Sequence, residues 1–276
     1  MPARPIRLLL VGIVVVACQA DVAERPGPVA DEAVVAEQSA ESSPASPEAV
    51  ASPTGSASAI PTPQLAPPTT KPATPPPPLE QFALDLYEQG DFVPQHTFEW
   101  CVGASIQMAH NLVSDDTRSS FEDQQALWEL ARDHSSNAFG GANPRGWATA
   151  LTEIGLGPYT LVSIPEYDEA LRVAATAIRE TDRAVGLVMW RGRHAWVMSG
   201  FESIGDPAIH ADFRVTGVRV LDPLYPHGSG TWGPSPEPNT LLAPEELAAQ
   251  FVVREPRRWS SELSAGYLLV LPAAGA

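Results

Sequence analysis

The chain has 276 residues, a formal net charge of −16 and two cysteines. From residue 81 onward, 25 acidic residues stand against 13 arginines, a net charge of −12. A nucleic-acid backbone calls for a basic face, so this class of partner is excluded, and two cysteines cannot supply a disulfide framework.

Arg4 and Arg7 precede an apolar run, LLLVGIVVVA, at 8–17. It is shorter than the roughly 20 residues that a spanning helix needs. A positive start, a short apolar core and a small residue before Cys18 resemble the lipobox of bacterial lipoproteins. That resemblance implies a signal peptide over 1–17 and lipid attachment at Cys18. The chain would then be extracytoplasmic and held to the membrane by its lipid. An ordinary secretory signal with no role for Cys18 is the alternative.

Residues 18–80 are rich in Pro, Ala, Ser, Thr and Glu and carry no periodic pattern. Such a segment cannot bury enough apolar surface to offset the entropy of ordering. It reads as a tether, roughly 45 Å long as a flexible coil and roughly 190 Å as extended polyproline. All seven Trp, eight Phe and five Tyr lie beyond it, so 81–276 is expected to be one folded domain.

Within that domain, 81–89 reads as a short helix or an approach arm. A helix over 101–113 has Val102, Ile106, Ala109 and Val113 at helical spacing. A second, over 120–133, carries Phe121, Leu127 and Leu130. SSNAFGGANPRG is a loop by composition. Helices over 147–154 and 167–180 follow, the latter with Ala170, Leu171, Ala174 and Ile178 inward. Then the pattern changes to strands at 184–190, 194–201 and 213–221. A short helix at 243–251 and a strand at 267–271 complete the chain. Helices first and an antiparallel sheet second predict an α+β fold.

Three of these elements carry chemistry. Cys101 opens a helix, whose N-terminal N–H groups favour a thiolate. His194 begins one strand and Asp222 ends the next. If the two pair antiparallel, both side chains lie at the same sheet edge. Thiol, imidazole and carboxylate in that relation perform nucleophilic acyl transfer. Gln95, six residues before Cys101, is a candidate donor to the oxyanion. Each has a plainer reading: Cys101 as a small core residue, Asp222-Pro223 as a strand terminator, His194 as part of a surface turn beside Arg191 and Arg193. Those two arginines would make the site more positive. The order and placement of all four residues favour the catalytic reading. No HExxH, paired cysteine or Asp-rich loop occurs, so neither a metal site nor a cofactor is expected. Trp100, Trp147, Trp190, Trp196 and Trp232 are either core or the lining of a groove.

Gln, then Cys six positions on at a helix start, then a distant His and a carboxylate is similar to the papain-like cysteine peptidase pattern. With CVGASIQM, GRHAWVMSGF and VRVLDP, residues 93–272 look like the C39-like peptidase family. The resemblance implies a papain-like fold, with Cys101 as nucleophile, His194 as base, Asp222 as orienting acid and Gln95 as oxyanion donor. Arg193 stands where that family has glycine, Val102-Gly103 where Gly-Pro is common, and the loop at 202–212 is long. These departures bear on the substrate. The expectation is a tethered monomeric cysteine peptidase acting on a peptide or protein. A transglutaminase-like or cell-wall amidase activity is the alternative within enzymes. A non-catalytic surface-binding lipoprotein of the same fold is the alternative outside them.

Overall fold

In chain order the protein, here a computed structural model, comprises β1 (Gln81–Asp85), α1 (Cys101–Asn111), α2 (Phe121–Asp133), α3 (Pro144–Glu153), β2 (Tyr159–Ile164), α4 (Tyr167–Thr181), β3 (Val185–Met189), β4 (His194–Ile204), β5 (Arg214–Leu221), β6 (Gly228–Ser229), β7 (Gly233–Pro234), β8 (Thr240–Leu242), α5 (Pro244–Leu247) and β9 (Tyr267–Pro272). The structure describes residues 77–136, 141–257 and 260–274. The expected signal at 1–17, Cys18 and nearly all of the expected tether therefore lie outside the described residues, as does 137–140 of the expected loop. Among the described residues no helix is long and apolar enough to cross a membrane.

The main sheet is antiparallel throughout, in the order β2-β9-β3-β4-β5-β8. β4 is its long central strand. β3 pairs with the first half of β4, from Met189 opposite His194 to Val185 opposite Met198. β1 takes the same edge further on, Gln81 opposite Ile204. β5 runs along the other edge, with Leu221 opposite Val197.

Helices cover both faces of this sheet. Ala195 and Val197 of β4 join Val102, Ile106, Ala109 and Trp147 in one core. The alternating Trp196 and Met198 join Ala170, Leu171, Ala174 and Ile178 of α4 in the other. A strand covered on both faces reads as an unbroken apolar run, which is why HAWVMSGF does not alternate. Each fully buried large side chain contributes about 1.5–3 kcal/mol.

Several elements depart from the sequence reading. QFALD is a strand, with Phe82 and Leu84 half-buried at a period of two and their neighbours exposed. Val113 and Phe121 are exposed: α1 stops at Asn111, and Phe121 is the first residue of α2, after the capping residue Ser120, whose side chain accepts from Asp123 N–H. α3 begins three residues early, at a proline capped by Asn143. The helix expected over 243–251 is confined to Pro244–Leu247. β4 continues to Ile204, so the loop expected from 202 starts later. β2 and the short strands β6, β7 and β8 went unread.

α1 and α2 approach closely because Gly103 has no side chain. A Cβ there would lie 2.8 Å from the Gln124 carbonyl oxygen and 3.0 Å from Trp128 Cβ. The same contact brings the Gln124 side chain beneath the segment leading into Cys101. Its Nε2 donates to Pro94 O and Gln107 Oε1, and its Oε1 accepts from His96 N–H.

Candidate active site

Cys101 is the first residue of α1. Trp100 provides no side-chain cap and the first turn holds no acid, so the N–H groups there are left uncapped by any side chain. Further along α1, Ser105 Oγ donates to Ala195 O at 3.4 Å and ties the helix to the start of β4. Cys101 is a free cysteine, half-buried.

His194 opens β4. The turn before it, Trp190-Arg191-Gly192, has three successive residues at positive φ (55°, 58° and 89°). Only glycine adopts that backbone without cost. Trp190 is held there at both ends: its N–H donates to Gln250 O, and its indole Nε1 to Gln250 Oε1 at 2.9 Å. The indole then lies flat on the His194 ring, centroids 4.1 Å apart and planes 21° apart. Sequence reading treated Trp190 as core or groove and missed this stacking. Its nearness to the turn before His194 was the available signal.

Asp222 follows β5 and is fully buried. Its Oδ1 lies 2.7 Å from His194 Nε2 and also accepts from Leu224 N–H at 2.9 Å. The β4–β5 pairing thus brings the start of one strand and the end of the next together, with Nδ1 of the imidazole left for the thiol. Burial alone would lower the His194 pKa. The hydrogen bonds to Asp222 and to the Cys101 thiol, with the charges of both, outweigh it and raise it to about 9. The imidazolium is therefore the form at neutral pH, and an imidazolium is what pairs with and steadies a thiolate.

Gln95 is close in the chain path but differently engaged. Its N–H donates to Pro223 O at 2.8 Å, beside Asp222. Its side-chain Nε2 donates to Thr97 O at 2.9 Å, and Gln95 does not line the cavity above Cys101. The structure brings Cys101, His194 and Asp222 together and leaves the Gln95 amide turned to its own loop.

The cavity above the thiol encloses about 560 Å³. Cys101, Val102 and His194 form its floor and Trp147 one wall; Arg191, Arg193, Arg254 and Arg257 also line it. Trp196 is fully buried in the core instead. Arg254, only 3% exposed, holds the far wall. Its guanidinium donates to Leu263 O, Ser264 O, Ser260 O and Ser260 Oγ at 2.6–2.9 Å. Burial, then the neighbouring Arg257 charge, lower its pKa. No pattern in the sequence pointed to this pin. Among the described residues no group of three His, Cys, Asp or Glu is placed to hold a metal ion.

No protein-family profile matches the chain, and no curated protein matches it. A solved structure of UfSP from C. elegans is similar to it at a TM-score of 0.35 and 14% identity, over 64% of this chain and 31% of that one. The chain thus spans about a third of that neighbour's length, and a likeness of this size carries no argument about activity. What the described residues establish is a mixed helical and antiparallel-sheet domain in which a thiol and an imidazole line one cavity and a buried carboxylate lies 2.7 Å from the imidazole.

Proposed function

We propose that the protein is a cysteine peptidase of papain-like, C39-like kind, hydrolysing peptide or related amide bonds outside the cytoplasm, held at the membrane by a lipid on Cys18. One observation carries the catalytic reading: a fully buried carboxylate 2.7 Å from an imidazole that lines the same cavity as the Cys101 thiol. The anchor and location rest on the sequence at 1–18 alone.

In this reading the Cys101 thiolate attacks the carbonyl carbon of the scissile bond. The negative charge on the carbonyl oxygen is met by the uncapped N–H groups at the start of α1. The His194 imidazolium gives its proton to the departing amine and a thioester remains. Neutral His194 then takes a proton from water, whose oxygen attacks the thioester. The C–S bond breaks, the carboxylic acid leaves, and the Cys101 thiolate and His194 imidazolium are restored. Asp222 keeps the ring oriented and stabilises its charged form. Gln95 joins as an oxyanion donor once its amide turns from Thr97 O toward the cavity.

The test is labelling of the full chain by iodoacetamide or an epoxide probe at neutral pH. The expected result is a single label on Cys101, absent in Cys101→Ala and much slower in His194→Ala. Equal labelling rates in wild type and His194→Ala would remove the activated pair and with it this function.

A further inference from the structure

The cavity is basic in a protein that is otherwise strongly acidic. Among the described residues, four arginines line it against one lining carboxylate, Glu99. Arg254 is committed to the wall. Arg191 and Arg193 are exposed and Arg257 is half-buried. None of these three forms an ion pair with a carboxylate among the described residues. Arg191 lies 6.0 Å over the Trp232 ring, in the turn between β6 and β7, and this contact holds its guanidinium beside the groove. Arg193 immediately precedes His194. Gly192, between Arg191 and Arg193, packs on Arg254: a Cβ there would lie 3.1 Å from Arg254 Cδ. The turn that carries Arg191 and Arg193 is thereby packed against Arg254.

Like charges gathered in a groove repel one another. In a chain of this net charge the arrangement is not a by-product of composition. Low-dielectric walls lined by one sign of charge concentrate ligands of the other sign. Guanidinium groups bind carboxylates with two parallel hydrogen bonds. An apolar side chain, Phe98, lines the same cavity and is 90% exposed.

We infer that the site selects acidic peptides, with Asp or Glu side chains near the scissile bond held by Arg191, Arg193 and Arg257. This inference rests on the peptidase reading, and its test separates the two. The first arm uses the full chain with internally quenched peptides that share one centre and carry Asp/Glu, Asn/Gln or Lys/Arg on both flanks. The second arm needs no turnover: it compares alkylation of Cys101 by anionic iodoacetate and neutral iodoacetamide, each normalised to glutathione.

Up to about fivefold is expected for each solvent-touched arginine. Acidic peptides should therefore be cleaved about tenfold faster than their amide counterparts. R191Q/R193Q/R257Q should abolish that preference and lower the normalised iodoacetate-to-iodoacetamide ratio. The charge-matched control R118Q/R172Q/R214Q, away from the cavity, should leave both unchanged. Raising salt to 1 M, where the screening length is about 3 Å, should narrow both differences. If no peptide is cut yet the alkylation ratio falls only in the cavity variant, anion selectivity stands and the peptidase reading fails. Equal cleavage of acidic and neutral peptides, or a preference that survives in the cavity variant, overturns the inference.

Discussion

Replacing Asp222 with Asn keeps the shape of the buried pair and removes its charge. In the native protein His194 titrates at about 9, against about 6.5 for a free imidazole. At about 1.4 kcal/mol per pH unit, that difference is worth about 3 kcal/mol in favour of the protonated ring. Burial opposes the rise, and would go on doing so in the variant with only the thiol to counter it. The His194 pKa is then expected near or below about 6. At pH 7 the protonated fraction falls from about 99% to about 10%. Alkylation of Cys101 by iodoacetamide, carried by the thiolate–imidazolium pair, should slow about tenfold. The folded-state pKa lies above the unfolded one, so the linked stabilisation is complete below about pH 6.5 and lost as pH rises through about 9. The native urea midpoint should fall across that window, and the Asp222→Asn profile should be flatter there. Histidine ring NMR from pH 5 to 10, with His194 assigned by substitution, reads the pKa directly. A His194 signal that still titrates near 9 in Asp222→Asn would refute the coupling described here.

Three further outcomes are expected. Gly103→Ala drives a Cβ to 2.8 Å from the Gln124 carbonyl and should lower stability by about 1–2 kcal/mol despite alanine's better helix propensity, as read by urea denaturation. Arg254→Met leaves four buried or half-buried acceptors without their donor and should cost about 2–4 kcal/mol, with hydrogen-exchange protection lost first at the amides of Leu263 and Gly266. Trp190→Leu removes the ring stacked on His194. It should slow iodoacetamide labelling about two- to tenfold while the urea midpoint changes little, since the indole is only half-buried.

Much of the fold was legible where one periodicity held over a whole element. α4 is the clearest instance: Ala170, Leu171, Ala174 and Ile178 follow the helical repeat, and all four are buried. The β3–turn–β4 unit was legible from two apolar runs around RGR. β1 was not, because five residues with Phe82 and Leu84 fit a helical arm as readily as a strand until β4 is there to pair with. β2 mixes Thr160 and Ser163 into a strand whose partner, β9, lies over a hundred residues away. At the candidate site, the helix start at Cys101 and the strand ends at His194 and Asp222 were legible, since element ends can be located from pattern. Side-chain direction cannot: the Gln95 amide is set by a local bond to Thr97, and Arg254 by carbonyls whose positions only the folded loop defines.

β9, last of the strands to be synthesised, is inserted between β2 and β3. Until Tyr267–Pro272 emerges from the ribosome, β2 has no neighbour and β3 has an open edge. Until then the sheet that carries the His194 turn lacks the strand between β2 and β3. Ribosome-stalled chains ending before Tyr267 should be cut readily by added trypsin and resist it only once β9 is present.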